Sequence, residues 1–166
     1  MKNKTKKISV CALLCALSVT VLYIASISPT GQLGIVAVSS LLGISAVIET
    51  DIRGGIAVYA VTSVLGFLVI PEKSALLLYV LFFGYYPVLK SIAEKQKSRL
   101  CEWVIKMLTA NAALLVIIFF FFQVIFDFLG LNWGKIIIFI VFNICFVLFD
   151  IGVSKIVGLY INRVSK

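Results

Sequence analysis

The side chains of this sequence best placed to do chemistry are polar residues within long apolar runs. They are Asn111, Asn143 and Asp150. Because a polar group is costly in hydrocarbon, such residues usually face the inside of a helix bundle or a water-filled cavity. We expect each asparagine to bond a neighbouring helix or to contact a bound molecule. Asp150 lies near the inner end of its run, which favours an ion pair with Lys or Arg over a proton relay.

The residue types needed for catalysis or metal binding are sparse. The chain has no histidine, and its four cysteines lack the spacing of a zinc site. Glu49, Asp51 and Arg53 are close together, but with Gly54 and Gly55 they form a polar turn that offers too few oxygen ligands for a cation. No Gly-rich phosphate loop occurs. The sequence therefore predicts a protein that is not an enzyme and holds no metal or cofactor.

The composition is that of a protein whose solvent is lipid. Of the 166 residues, 62% are hydrophobic and 13% are charged, against roughly 45–50% and about 25% in soluble domains. A chain this apolar has too little polar surface to cover itself in water. The net charge of +8 comes from basic clusters that flank apolar runs. It therefore indicates membrane topology and not nucleic-acid binding.

The apolar runs predict six transmembrane helices and exclude a β-barrel. The runs are continuous instead of alternating, and most approach the roughly 20 residues that a membrane helix needs. Backbone polar groups in lipid must bond within their own segment, which favours helices. The expected fold class is an all-α, six-transmembrane-helix bundle that forms a single domain over residues 1–166. Its spans cover about 8–27, 33–48, 56–70, 75–89, 107–126 and 136–159.

The basic residues orient this bundle. With the N-terminus inside, 13 of the 15 Lys and Arg residues face the cytoplasm, and only Lys73 and Lys135 lie outside. Cytoplasmic loops carry such an excess of Lys and Arg. Both termini are therefore predicted to be cytoplasmic. Usage rich in Lys and Ile indicates an AT-rich bacterium, so we expect a multi-pass protein of a bacterial plasma membrane.

Residues 91–106 form the longest polar stretch of the chain. Apolar residues recur there, and just after it, at helical spacing; they are Leu100, Trp103, Val104 and Met107. This pattern predicts a short interfacial helix that leads into the fifth span. Such a helix either rests on anionic lipid or docks a cytoplasmic partner.

Small residues on the first two spans are spaced so that another helix can approach closely. Ser9, Ala12 and Ala16 share one face of the first span, and Ser39-x-x-x-Gly43 has the same spacing on the second. Small side chains at this spacing allow dense packing between helix backbones. We therefore expect each motif either to pack inside the bundle or to dock a second membrane protein.

In its six predicted spans, its cytoplasmic termini and the Ala12-x-x-x-Ala16 motif, the chain resembles the substrate-binding S-components of energy-coupling factor (ECF) transporters. These are small six-helix membrane proteins with cytoplasmic termini, and their first helix carries an Ala-x-x-x-Ala motif such as Ala12 and Ala16 form here. The resemblance implies that Ser9, Ala12 and Ala16 dock on a membrane-embedded scaffold (T) subunit coupled to two ATPase subunits. It also implies that the chain binds a vitamin or similar micronutrient near its outer face.

The resemblance places the binding site between the outer helix ends and the outer loops. These loops are short here and carry no vitamin-specific pattern. Polar groups there could hydrogen-bond a small molecule and an aromatic ring could stack on it; alternatively, they are hydrated loop residues and an interfacial anchor. The candidates are Thr30, Gln32, Glu72, Lys73, Gln123, Asp127, Asn132, Trp133 and Lys135.

Two other functions are compatible with the sequence. One is a membrane scaffold or assembly subunit without cargo, like the cell-shape protein MreD, a similar-sized protein that we consider a structural relative of the S-components. The other is a stand-alone transporter, although the chain has neither an internal repeat nor a charge at the membrane midplane. A polar, aromatic-lined outer pocket closed by loops would distinguish an S-component from a scaffold.

Overall fold

A computed structural model describes the backbone of residues 2–28, 31–96, 98–129 and 134–164, and the side chains of 4–28, 31–96, 98–118 and 139–160. This described part of the chain is helical apart from short connections and contains no strand. Its elements are α1 (Lys2–Ile27), α2 (Gln32–Glu49), α3 (Ile52–Val69), α4 (Lys73–Leu78), a π-helical turn (Tyr79–Phe83), α5 (Tyr86–Ala93), α6 (Arg99–Leu129) and α7 (Gly134–Val164).

Six segments of the described residues are long and apolar enough to cross a membrane, as the sequence predicted. Helices α1, α2, α3, α6 and α7 each supply one, and the fourth runs through α4, the π-helical turn and α5. Several helices extend past the predicted spans into polar residues. Hydropathy marks only the part that lipid would cover, whereas helical hydrogen bonding continues beyond it. The cytoplasmic placement of the termini stays a prediction.

The stretch 91–106, for which the sequence predicts a short interfacial helix leading into the fifth span, is divided by a turn. Residues up to Ala93 belong to α5, residues 94–96 form a turn, and Arg99 begins α6. The apolar stripe that starts at Leu100 is therefore part of the first turns of α6. Because its spacing is the same in either arrangement, periodicity alone could not locate the helix boundary.

Contacts divide the chain into two compact units, Met1–Trp103 and Val104–Lys166. The prediction of a single domain stays a prediction. The first unit contains α1 to α5, and α1 packs on both α2 and α3. Its main core consists of buried residues from α1, α2, the end of α3, α4 and the π-helical turn: Leu22, Ala25, Val36, Ile70, Ala75, Leu76 and Tyr79. Cys15, Ala46 and Val58 form a second, smaller cluster.

The fourth span is interrupted near Gly84 and Pro87. The Gly84 N–H donates to the Tyr79 carbonyl oxygen at 2.6 Å, which widens the helix to a π-helical turn. Pro87 lies in the first turn of α5, where its missing N–H costs no helical hydrogen bond. The chain thus restarts as a new helix at Tyr86.

Candidate functional site

The small residues of α1 lie on a face that the other described residues of the first unit leave open. Ser9, Ala12 and Ala16 are all exposed. A different face of α1 is buried, with Cys15, Ser18 and Leu22 among its members. The small residues are therefore not buried by the packing of α1 within the first unit.

The motif with the same spacing on α2 is buried inside the first unit. Ser39 and Gly43 are buried, and a Cβ added at Gly43 would lie 2.9 Å from Cγ of Pro87. The α2 motif therefore lets α5 approach closely within the first unit. Two motifs with the same spacing thus lie in different environments, which their sequences alone do not separate.

A chain of hydrogen bonds joins two candidate ligand-binding residues at the predicted outer end of the first unit. Gln32 Nε2 donates to Ser74 Oγ at 2.8 Å, and Ser74 Oγ donates to Glu72 Oε1 at 2.9 Å. The bonds connect the start of α2 to the segment that leads into α4. Ser74 was not among the predicted residues.

Lys73, a third candidate, is engaged at the end of α3. Its Nζ donates to the carbonyl oxygens of Phe67 and Ile70 at 2.7 and 2.6 Å and lies 5.0 Å from the centre of the Phe67 ring. A cation at a helix C-terminus satisfies carbonyl groups that lack helical partners. Lys73 thus has a structural role here in addition to any contact with a ligand.

The remaining candidates of the outer site fall beyond the described side chains. Thr30, Asn132 and Trp133 lie outside the described residues altogether. Gln123 and Asp127 belong to α6 and Lys135 belongs to α7 by their backbones, but their side chains are not described. The predicted contacts of these six residues with a ligand stay predictions.

The two intramembrane asparagines pair with each other in the second unit. Asn111 Nδ2 donates to Asn143 Oδ1 at 3.2 Å, and Asn143 Nδ2 donates to Asn111 Oδ1 at 3.0 Å. Each amide also donates to the carbonyl oxygen four residues earlier in its own helix, that of Met107 or Phe139. The expected bond between helices is therefore present, and contact with a bound molecule stays a prediction.

The asparagine pair is expected to contribute about 0.6–2 kcal/mol to the free energy of unfolding, the range for polar bonds between membrane helices. Asn111→Ala, Asn143→Ala and the double variant, unfolded in detergent by titration with sodium dodecyl sulfate, form a double-mutant cycle. If the two single losses simply add in the double variant, the amides do not interact and this expectation is wrong.

A buried ion pair joins the same two helices. Lys106 Nζ lies 3.1 Å from Asp150 Oδ2, and the two side chains are 2% and 4% exposed. The Ser154 hydroxyl donates to the backbone oxygen of Asp150 at 2.8 Å. The sequence pointed to an inner Lys or Arg as the partner of Asp150, and the tertiary structure identifies Lys106.

At the other end of the first unit, α1 is tied to the α2–α3 turn by Lys7. Its Nζ donates to the Thr50 carbonyl oxygen at 2.6 Å and to Asp51 Oδ2 at 2.7 Å. The hydrogen bond from Lys7, followed by its charge, lowers the pKa of Asp51, and Arg53 and Lys95 add smaller effects of the same sign. The contact thus contributes to stability above the ordinary pKa of the carboxyl and is lost as the pH falls through the lowered value.

Asp51 also has an unusual backbone. Its φ of 151° lies in a region that residues with a side chain rarely adopt and that typically costs about 1–3 kcal/mol. The strained residue immediately precedes α3, so it sets the direction in which that helix leaves the turn. The bonds from Lys7 to Thr50 and Asp51 hold this turn in place.

Within the described ranges, no group of three or more His, Cys, Asp and Glu side chains is placed to hold a metal ion. Comparison with known protein families, curated proteins and solved structures finds no match for the chain. The resemblance to the S-components therefore rests on the residues and the helical plan given above.

Proposed function

We propose that this chain is the membrane-embedded, small-molecule-binding subunit of an ECF-type importer. In this role it captures a vitamin or similar micronutrient at its outer face and docks on a scaffold subunit through α1. The chain contains no nucleotide-binding motif, so two ATPase subunits attached to the scaffold would supply the energy. The protein would lie in a bacterial plasma membrane with both termini in the cytoplasm.

The observation that carries this proposal is the exposure of Ser9, Ala12 and Ala16. A face of small residues lets a second helix approach within van der Waals contact of the backbone. In the first unit the comparable α2 motif is buried against Pro87, whereas the α1 motif is exposed. A helix face can dock on a second protein only if it is exposed in its own.

The polar chain from Gln32 through Ser74 to Glu72 supports ligand binding at the outer end. Its three side chains come from two segments that are distant in sequence. Binding sites typically combine apolar walls with a few convergent polar groups. The apolar core that contains Ile70 and Ala75 adjoins these groups along the chain.

The docking step is tested by placing a bulky side chain on the small face. We expect Ala12→Trp and Ala16→Trp each to reduce recovery of the scaffold and ATPase subunits by at least roughly tenfold, since a lost contact of about 1.4 kcal/mol has that effect. The measurement is gentle detergent purification of the tagged chain from its native host, followed by mass spectrometry of the proteins and small molecules that accompany it.

Leu13→Trp and Leu17→Trp are the matched controls, because each lies one position along α1 from a tested alanine and is itself exposed. They should leave the complex intact. Unchanged recovery of the scaffold and ATPase subunits with both Ala12→Trp and Ala16→Trp would show that α1 is not the docking face. Recovery of cell-envelope assembly proteins in place of ATPases would favour the scaffold function instead.

A further inference from the structure

A cleft of roughly 180 Å³ lies at the predicted cytoplasmic end of the first unit. It is lined by Lys6, Lys7 and Val10 from the start of α1 and by Glu49 from the end of α2. The ammonium of Lys7 is engaged with Thr50 and Asp51. Lys6 makes no hydrogen bond or ion pair with any described residue, so its charge is available to a ligand.

The surroundings of the cleft carry a net positive charge. Arg53 and Lys95 lie close enough to act electrostatically on Asp51 beside it. Four basic groups therefore surround the two carboxylates of Glu49 and Asp51. Such a concentration of cations attracts an anion, and it does so most strongly where solvent is partly excluded.

An apolar track continues from the cleft along α1. Val10, Leu13 and Leu17 follow Lys6 at intervals of three or four residues, so all four share one face of the helix. Leu13 and Leu17 are exposed. This face differs from that of Ala12 and Ala16, because successive residues point about 100° apart around a helix.

We propose that the cleft binds the headgroup of an anionic glycerophospholipid, with an acyl chain along the track of Val10, Leu13 and Leu17. Lys6 contacts the phosphate. A soluble phosphate would satisfy the cations but leave the apolar track unused. A zwitterionic lipid would neutralise less of the positive charge. The site lies apart from the proposed docking face and does not depend on the proposed function.

The test uses the full chain in detergent with an equimolar mixture of phosphatidylglycerol and phosphatidylcholine, and native mass spectrometry counts the lipid retained. The wild-type chain should retain phosphatidylglycerol preferentially. Lys6→Gln should lower that retention about fivefold, the effect expected for one basic residue at an anionic surface. Lys6→Arg should preserve it, because the charge is kept.

Lys155→Gln is the control, since it removes the same charge from an exposed site on α7 and should leave retention unchanged. An equal loss of phosphatidylglycerol with Lys155→Gln would mean that basic residues attract the lipid diffusely, and it would overturn the proposed site. Equal retention of both lipids, or an unaffected Lys6→Gln variant, would also overturn it. Displacement of the lipid by millimolar inorganic phosphate would identify a site for soluble phosphate instead.

Discussion

Replacing Asp150 with leucine is expected to lower the free energy of unfolding by about 3–5 kcal/mol. The carboxylate lies 3.1 Å from Lys106 Nζ, and neither side chain is more than 4% exposed. Removing it takes the Asp150 carboxylate away from the buried Lys106 ammonium. Most of the loss therefore comes from the desolvation of the Lys106 ammonium, which the Asp150 carboxylate no longer offsets, and less from the attraction itself.

The double variant Lys106→Met/Asp150→Leu separates these two contributions. It removes both charges and keeps apolar bulk, so it should recover most of the stability that Asp150→Leu loses. Lys7→Met breaks a pair whose side chains are 48% and 75% exposed and should cost much less, because water screens such pairs. Titration with sodium dodecyl sulfate gives all three values. A double variant as unstable as the single one would contradict this account.

Gly84→Ala is expected to destabilise the first unit by about 1–3 kcal/mol, the range for overpacking a filled core. The added Cβ would lie 2.5 Å from Cδ2 of Tyr59 and 2.9 Å from Cε1 of Tyr79. Neither ring can move easily: Tyr59 donates its hydroxyl to the Val80 carbonyl oxygen at 3.1 Å, and Tyr79 is 1% exposed. The helix at the π-helical turn must shift to accept the methyl group.

Gly34→Ala is the control for this substitution. Gly34 is also helical, but a Cβ there meets nothing within 4 Å, so the change should be neutral or slightly stabilising through the better helix propensity of alanine. Thermal unfolding in detergent compares the two variants. Equal transition temperatures would show that the close approach at Gly84 is not needed.

The number and type of the helices could be predicted from the sequence because hydropathy is a local property. Segments of roughly the required length were apolar enough to predict all six, and the first and third end within two residues of a helix-breaking proline, Pro29 or Pro71. The boundaries were less predictable. The stretch 91–106 has the spacing of a helix, yet a turn at residues 94–96 separates α5 from α6, and no local pattern marked it.

The candidate site could be predicted only in part. The sequence alone determined that Asn111, Asn143 and Asp150 need partners, since lipid offers none, and that Ala12 and Ala16 permit a close helix contact. Only the tertiary structure decided that the asparagines pair with each other, that Lys106 meets Asp150, and that the α1 motif is open while that of α2 is buried. The physical reason is that spacing fixes which residues share a face, whereas the rotation and register of packed helices depend on contacts between segments distant in sequence.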